Sequence, residues 1–252
     1  MYIIGIDCAV EEKKTGLAQL YFNGEAIRLL KAEKGSRTKP AVAVIEDWIE
    51  EATQQGSKVL LCFDAPLGWP KHFGESLNRH QAGTELQGDI DSFFRRRTDN
   101  VVHQLLGKRP LDVTASFIAR TAFRALKMIG SLQGKFGLVE FVWDIRRLEG
   151  IGCIEVYPAA WLRSEGISHE KYKQQSSVRR DIVNELQKQI SMDPGQKEKL
   201  IASDHVLDAL LSGLNGVDFA ENRCISPDEM NVEENTLLTE GWIWVKPGDQ
   251  QR

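Results

Sequence analysis

The order of strand-like and helical segments over the first 70 residues constrains the fold of this chain most strongly. Short apolar runs predict three strands, over 2–9, 17–22 and 26–32. Asn23-Gly24 is typical of a hairpin between the last two of these strands. Residues 41–55 then carry apolar side chains at helical spacing, and 59–70 form an apolar strand that ends in an acid and then proline. An antiparallel meander followed by crossover units predicts a mixed α/β sheet.

The rest of the chain adds a largely helical segment and further alternating elements. The predicted elements are a helix over 114–129 that ends at Gly130, a strand over 153–158, helices over 177–190, 196–202 and 204–216, and a short edge strand in the tail GWIWVKP. Residues 71–150 are therefore expected to form a mainly helical insertion between the fourth and fifth strands. This order is the one expected of a ribonuclease H-like core, and we expect a single domain over 1–252 because no repeat or long linker divides the chain.

Composition excludes several classes of protein. With 42% hydrophobic and 27% charged residues, the chain is expected to fold rather than remain disordered. Its apolar runs fall far short of the roughly 20 residues that cross a bilayer. Asp7 interrupts the first of these runs, so neither a membrane partner nor a signal peptide is expected. Four dispersed cysteines without a CxxC pair argue against a disulfide scaffold and a thiolate zinc site, and they favour a cytoplasmic location.

Carboxylates occur at positions where buried strands and helices would normally carry apolar side chains. Asp7 ends the first strand, Asp64 ends the fourth, and Glu155 lies within the fifth. On the last helix, Asp204 and Asp208 are four residues apart and therefore lie together along one edge of the apolar stripe. These acids are the candidate functional residues of the chain.

Each acid except Asp208 also has a structural explanation. Asp7 could begin a turn, and Asp64 could accept backbone N–H bonds beside a proline. Glu155 could form a salt bridge with an arginine, because an unpaired buried charge is costly. Asp204 lies in the first helical turn, where an acid favours the helix dipole, whereas Asp208 lies too deep in the helix for that explanation.

Taken together, the acids predict a metal site. Sites in open α/β sheets form beyond the carboxyl ends of the central strands, where Asp7 and Asp64 would meet if the first and fourth strands are parallel neighbours. Two carboxylates ~4 Å apart repel by about 4 kcal/mol at an effective dielectric of about 20, so such a cluster needs protons or cations. Hard oxygen ligands suit Mg²⁺ or Mn²⁺. Two such ions can activate a water and stabilise the leaving oxygen in phosphodiester hydrolysis, which predicts a metal-dependent nuclease acting on nucleic acid.

Six segments of the sequence resemble one known family. They are GIDCA, TGLAQL, FDAPLGWP, IEVYPAAWL, DHVLDALLSGL and EGWIWVKP. In this order and over nearly the whole chain, they resemble domain of unknown function family 429, whose members are described as predicted ribonuclease H-like nucleases. The acidic centre that the resemblance implies consists of Asp7, Asp64, Glu155 and Asp208.

The last-helix segment HVLDAL also resembles a motif of Holliday-junction resolvases of the RuvC type. In that motif a His or an Asp comes shortly before the final Asp. The resemblance therefore implies that His205 or Asp204 is an additional metal ligand or a proton shuttle. Ribonuclease H itself carries a metal-facing glutamate on its first helix. The first predicted helix of this chain carries several acids that could take this role, so the resemblance assigns none of them as a metal ligand: Glu46, Asp47, Glu50 and Glu51.

A nucleic-acid partner would need a local basic patch, because the net charge of −4 gives no global attraction. Arg95, Arg96 and Arg97 could hold phosphates of the substrate, and the alternative is a solvated helix face. Further cations of the insertion could extend a basic surface: Lys108, Arg109, Arg120 and Arg124. Trp69 and Trp161 follow the acid-bearing strands and could stack on bases, although core packing is the favoured explanation.

Two other functions are compatible with this fold. Actin-like and sugar-kinase-like phosphotransferases follow the first-strand Asp with glycine and a hydroxyl-rich loop, whereas this chain has an acidic sequence from Asp7 to Glu12 without an early glycine. A catalytically inactive module that binds nucleic acid or protein is the second alternative. The sequence leaves open whether a nuclease would act on DNA, RNA or a small phosphoester, and in which oligomeric state.

Overall fold

A mixed β-sheet forms the centre of the molecule. The computed structural model describes residues 1–248, and within them the sheet has eight strands. They are β1 (Tyr2–Asp7), β2 (Gly16–Phe22), β3 (Ile27–Lys34), β4 (Val59–Asp64), β5 (Val139–Phe141), β6 (Ile151–Val156), β7 (Ile190–Ser191) and β8 (Ile243–Trp244). Their spatial order is β5-β6-β4-β1-β2-β3-β7, and β8 pairs with β6 beyond the end of β5.

The first strand lies at the middle of the sheet and is the parallel neighbour of β4, as the predicted metal site requires. β1 pairs antiparallel with β2 and parallel with β4, while β2 pairs antiparallel with β3, and β4 pairs parallel with β6. This meander followed by parallel crossover strands is the ribonuclease H-like arrangement, so the predicted fold class is confirmed. The single domain over 1–252 stays a prediction, and its residues 249–252 lie outside the described part of the chain.

Helices cover both faces of the sheet. The ten helices of the described chain are α1 (Ala41–Gln54), α2 (Lys71–Leu77), α3 (Ile90–Phe94), α4 (Arg97–Leu106), α5 (Ser116–Phe136), α6 (Pro158–Ser164), α7 (Ser176–Leu186), α8 (Pro194–Ala202), α9 (Asp204–Ala220) and α10 (Glu234–Glu240). Side chains alternate along each strand, so Ile3 and Leu60 join the apolar cluster of α9, whereas Ile4 and Leu61 join that of α1 and α5.

None of the helices described within residues 1–248 is long and apolar enough to cross a membrane.

The segment between β4 and β6 is the predicted insertion, with two differences. It contains α2 to α5 but also contributes β5, so the strand predicted as the fifth is the sixth. α5 passes through Gly130, where the sequence wrongly predicts a stop. The apolar stripe continues to the buried Leu132, which offsets the cost of about 1 kcal/mol for one helical glycine. The helix ends instead before Gly137, whose φ of 83° is readily adopted by glycine.

Two other predicted boundaries are shifted, and the tail is more enclosed than expected. The helix predicted over 177–190 ends at Leu186, and α9 continues to Ala220 rather than to about 216. The tail forms the short edge strand β8, but its side chains are buried because α4 and α6 pack against it. The cluster that covers β8 consists of Val102, Leu106, Ala160, Ile243 and Val245.

The last core helix packs directly against the backbone of β1 and β2. A Cβ atom at Gly5 would overlap the carbonyl oxygen of Ala209, and a Cβ atom at Gly16 would overlap the carbonyl oxygen of His205. Both strand positions therefore require glycine, because any side chain there would push α9 away from the sheet. Since Gly16 is the register partner of Asp7, this close approach brings the first turns of α9 to the carboxyl end of β1.

Candidate metal centre

Three carboxylates converge where β1, β4 and α9 meet. Asp7 and Asp64 are the last residues of their strands and are direct partners in the parallel register. Asp208 lies in the second turn of α9. One carboxylate oxygen from each residue lies within 4.8 Å of the other two. We call these three residues the acidic triad, and three hard oxygen donors at this spacing fit Mg²⁺ or Mn²⁺.

Burial makes the acidic triad electrostatically costly. Burial, with a smaller contribution from Asp208, raises the pKa of Asp7 to about 6, although a hydrogen bond with His205 acts in the opposite direction. The pKa of Asp64 lies well above its usual value, first because of burial and then because of the charges on Asp7 and Asp208. Like charges this close cannot all ionise freely, so Asp7 and Asp64 retain protons to a higher pH than exposed acids do.

His205 is hydrogen-bonded to the acidic triad at its edge. Its Nδ1 lies 2.6 Å from Oδ2 of Asp7, and the ring is partly exposed. This hydrogen bond raises the pKa of His205, although partial burial acts against it. A protonated imidazole here compensates part of the charge on Asp7, and the exposed side of the ring can exchange a proton with solvent.

Both oxygens of Asp208 are engaged by the segment between α6 and α7. The hydroxyl of Tyr172 donates to Oδ1 at 2.6 Å, and Nζ of Lys173 lies 3.0 Å from Oδ2. Partial burial lowers the pKa of Lys173, but Asp208 and the neighbouring carboxylates outweigh this effect and raise it overall, so the side chain is a cation. Burial and Asp208 raise the pKa of Tyr172, so its hydroxyl remains a donor.

Sequence reasoning misses Tyr172 and Lys173 because their segment has no periodic pattern. A buried arginine on α7, Arg179, holds the segment in place by donating to the carbonyl oxygens of Tyr172 at 2.7 Å and Ile201 at 2.8 Å. In the sequence the segment is a polar stretch, and the aromatic ring between two lysines is the one feature that distinguishes it. Only the fold shows that this stretch reaches α9.

Glu155 lies beside the acidic triad but is paired with Arg96. Two guanidinium nitrogens of Arg96 lie 2.8 and 2.7 Å from the two carboxylate oxygens, and the backbone N–H of Leu67 donates to the same group at 2.8 Å. Both side chains are almost fully buried, and Arg96 also pairs with Asp99. The salt-bridge explanation of Glu155 is thus the one that the structure supports. Glu155 lines the site as a neutralised carboxylate rather than as a free acid.

The arginine triplet does not form one phosphate-binding face, contrary to expectation. Arg96 is 1% exposed and engaged with two carboxylates, so neither phosphate binding nor a solvated helix face describes it. Arg95 pairs with Asp91 and with Asp112, whereas the side chain of Arg97 is exposed. Arg95 and Arg97 line a separate cavity of about 550 Å³ between α2, α4 and α10.

Asp204 also lies outside the acidic triad. It is partly exposed in the first turn of α9, where the favourable interaction with the helix dipole explains it. Its charge contributes to the raised pKa of His205. Of the residues singled out from the sequence, the structure therefore brings together Asp7, Asp64, Asp208 and His205.

A cavity of about 340 Å³ opens over the acids, and we call it the metal cavity. Asp7 and Asp64 line it together with Glu155. Its other walls include residues of the insertion and of the segments around α6: Lys108, Pro110, Leu111, Ile118, Thr121, Tyr157 and Lys173. Burial raises the pKa of Tyr157 to about 12, so its hydroxyl stays protonated. The insertion therefore covers Asp7 and Asp64 with a pocket of the size that holds one small organic group.

The family of the chain follows from comparison with known proteins. Among solved structures, T. thermophilus RuvC in complex with a Holliday junction substrate is 15% identical, with a TM-score of 0.37, over 88% of this chain and 96% of that chain. Among the curated proteins no match is found. A family model described as Protein of unknown function (DUF429) matches residues 5–231. Because this match covers most of its length, the chain belongs to that family.

Proposed function

We propose that this protein is a metal-dependent nuclease that hydrolyses a phosphodiester bond of nucleic acid, with the acidic triad as the ligands of Mg²⁺ or Mn²⁺. The observation that carries the proposal is the convergence of three carboxylate oxygens within 4.8 Å of one another. A divalent cation relieves the repulsion within such a buried cluster most directly. When bound, one or two ions of this kind supply charge neutralisation to a phosphate and activation of a water molecule.

In this proposal, the side chains around the acidic triad transfer a proton, pair with phosphate and orient a ligand. We assign to His205, bonded to Asp7, the holding and passing of a proton. Lys173 lines the metal cavity as a cation, so it can pair with a phosphate oxygen once the charge of Asp208 is compensated. Tyr172 orients the Asp208 carboxylate through its hydroxyl. We leave Asp204 out of the ligand set because it lies outside the triad.

A phosphotransferase on the same fold is less well supported. The segment from Cys8 to Thr15, which follows β1, contains no glycine. Gly16 is occupied in packing against the carbonyl group of His205. A loop that cradles phosphate through its backbone N–H groups normally depends on glycine at such positions, so this chain lacks the usual basis for nucleotide phosphate binding there.

We place this activity in the cytoplasm. All four cysteines are free thiols and three of them are buried, which suits a reducing compartment. Burial and the carboxylates of Asp7 and Asp64 raise the pKa of Cys8 well above its usual value, so this thiol does not act as a nucleophile of the site.

The test is cleavage of single-stranded, duplex and branched DNA and RNA in Mg²⁺ or Mn²⁺. We expect metal-dependent cleavage of at least one of these substrates by the wild type and none by Asp208→Asn. Asp204→Asn is the matched control, because it makes the same change on the same helix outside the acidic triad, and it should retain cleavage. Equal activity of Asp208→Asn and the wild type would contradict the proposal, and absence of cleavage on every substrate would favour an inactive binding module.

A further inference from the structure

A second cleft is lined by α5, the helix that also contributes to the metal cavity. It has a volume of about 470 Å³, and its lining residues are Val10, Trp69, Ala119, Arg120, Phe123 and Arg124. We call it the aromatic cleft. Three segments of the chain contribute to both cavities: the loop after β1, the loop after β4, and α5. At about 100° per residue, the residues of α5 that line the two cavities face different sides of the helix, so the aromatic cleft is a separate pocket.

The aromatic cleft exposes apolar surface that the core does not use. Phe123 is 66% exposed and Val10 is 46% exposed. Trp69 is partly exposed, in contrast to Trp161, which is buried and donates its indole N–H to Asp218 at 2.7 Å. Core packing thus explains Trp161 but not the open surface shared by Trp69 and Phe123. Exposed apolar surface of this kind, rimmed by polar groups, is typical of a binding site.

The charges around the aromatic cleft favour a polyanion. Arg120 is exposed and forms no ion pair within the described chain, whereas Arg124 is paired with Glu12. Among residues 1–248, no carboxylate lines this cleft. In the metal cavity Lys108 and Lys173 are offset by three carboxylates, so Arg120 is the cation that the cleft itself offers to a phosphate. Arginine beside aromatic rings is the combination that binds single-stranded nucleic acid, since bases stack on the rings while cations follow the phosphates.

We propose that the aromatic cleft binds an unpaired base of a single-stranded nucleic acid, stacked on Phe123 and Trp69, while Arg120 pairs with the adjoining phosphate. Bases within a duplex are stacked on one another and cannot lie against a side chain, so the substrate class is single strands or unpaired regions. The cleavage of that strand rests on the proposed nuclease function, whereas its binding does not.

The sizes of the two cavities agree with this substrate class. At about 340 and 470 Å³, each lies within the range of about 300–1,000 Å³ that is usual for pockets holding one small molecule. The aromatic cleft is therefore large enough for one unpaired base but too small for a stacked duplex.

The test measures binding by fluorescence anisotropy in EDTA, so that metal-dependent cleavage does not take place. The probes are a labelled thymidine dodecamer, its duplex with an adenosine strand, and an abasic strand of the same length. We expect the wild type to bind the thymidine strand more tightly than either other probe. Phe123→Ala should weaken binding of the thymidine strand by about 5- to 150-fold, the usual effect of losing one stacking partner, with little change for the abasic strand.

Matched variants separate stacking from charge and from general apolar contact. Phe123→Trp should retain binding, whereas Phe123→Leu should lose it because leucine is apolar but has no ring. Phe117→Ala is the control, since Phe117 is 80% exposed on the same helix but does not line the aromatic cleft, and it should bind like the wild type. Arg120→Ala should weaken binding of every probe and reduce its dependence on salt concentration.

Several outcomes would overturn the proposal. One is equal affinity of the wild type and Phe123→Ala for the thymidine strand, with thermal melting showing that both are folded. Another is tighter binding of the duplex than of the single strand. A third is a dimer in sedimentation that Phe123→Ala dissociates, because a second copy of the chain would then occupy the cleft. Single-strand binding without cleavage in Mn²⁺ would contradict the proposed nuclease activity but support base binding in the aromatic cleft. Cleavage together with binding that Phe123→Ala leaves unaffected would contradict only the base-binding proposal.

Discussion

Asp7 is buried at the end of β1 beside two other carboxylates and an imidazole, and its raised pKa makes the stability of the protein depend on pH. A carboxyl group with a pKa of about 6 in the folded protein and about 3.9 in the unfolded chain binds more protons when folded. The free energy of unfolding must then fall as the pH rises through this interval. The shift corresponds to about 3 kcal/mol, and Asp7→Asn removes it.

We therefore expect the difference in free energy of unfolding between wild type and Asp7→Asn, measured in urea without divalent metal, to depend on pH. The stability of the wild type relative to the variant should fall by about 3 kcal/mol between about pH 4 and about pH 7. Asp228→Asn, a change at an exposed position, should show no such trend against the wild type. A difference between wild type and Asp7→Asn that stays constant over this range would show that Asp7 ionises as freely as an exposed acid.

Arg96 should contribute to stability rather than to phosphate binding. Its guanidinium is the buried partner of Glu155 and Asp99, so Arg96→Ala leaves two carboxylates without a cation. Breaking a buried pair in this way costs about 3–5 kcal/mol, which thermal or urea unfolding would detect. Arg97→Ala is the matched control, because that side chain is exposed, and its effect should stay within about 0.5 kcal/mol. Equal stability of the two variants would contradict the assignment.

The residues of the acidic triad could be predicted because each breaks a local pattern. Asp7 and Asp64 end apolar strands, and Asp208 lies deep in an amphipathic helix at the edge of its stripe. The partners of the acids could not be predicted in the same way. Lys173 reaches Asp208 from a polar segment, and Arg96 reaches Glu155 across 59 positions of sequence, so both contacts depend on the tertiary path of the chain.

At the scale of elements, the contact of α9 with the sheet sets the geometry of the acids. Gly5→Ala would place a methyl group against the carbonyl oxygen of Ala209, and the helix that carries Asp208 would have to move away from β1. We expect this variant to lose about 1–3 kcal/mol of stability and to bind Mn²⁺ more weakly. Gly130→Ala on α5, where a Cβ meets open space, is the control and should gain about 0.5–1 kcal/mol. Unchanged Mn²⁺ affinity in Gly5→Ala would show that α9 does not position the triad.

The order of the helices and strands could be predicted better than the residues at which they begin and end. The central meander, α1 and β4 follow from local periodicity, so their order and pairing agree with the sequence-based expectation. The stop expected at Gly130 is wrong because one glycine cannot end a helix whose apolar stripe continues. The short strands β5 and β7 carry too few residues for a periodic signal, and their pairing with β6 and β3 is a property of the assembled sheet.

At the scale of the whole molecule, the net charge of −4 means that the proposed nucleic-acid ligand would have to be attracted by local cations. Several cations lie around the metal cavity and the aromatic cleft. The arginine triplet does not provide such a surface, because Arg96 is paired with buried carboxylates and the other two arginines line a different cavity. The insertion contributes to both surfaces through α5 and the segment before it. The same insertion therefore connects the enclosed acids to the surface at which we expect a strand to bind.

Calorimetric titration with Mn²⁺ tests the central claim most directly, because it reports ligation by the acidic triad without depending on a substrate. The wild type should bind Mn²⁺, and Asp7→Asn and Asp208→Asn should each lose at least about tenfold in affinity, or about 1.4 kcal/mol, since each loses a ligand charge. Asp204→Asn should bind like the wild type. If Asp7→Asn bound Mn²⁺ with wild-type affinity, the acidic triad would be a structural cluster and the assignment of a metal-dependent nuclease would be wrong.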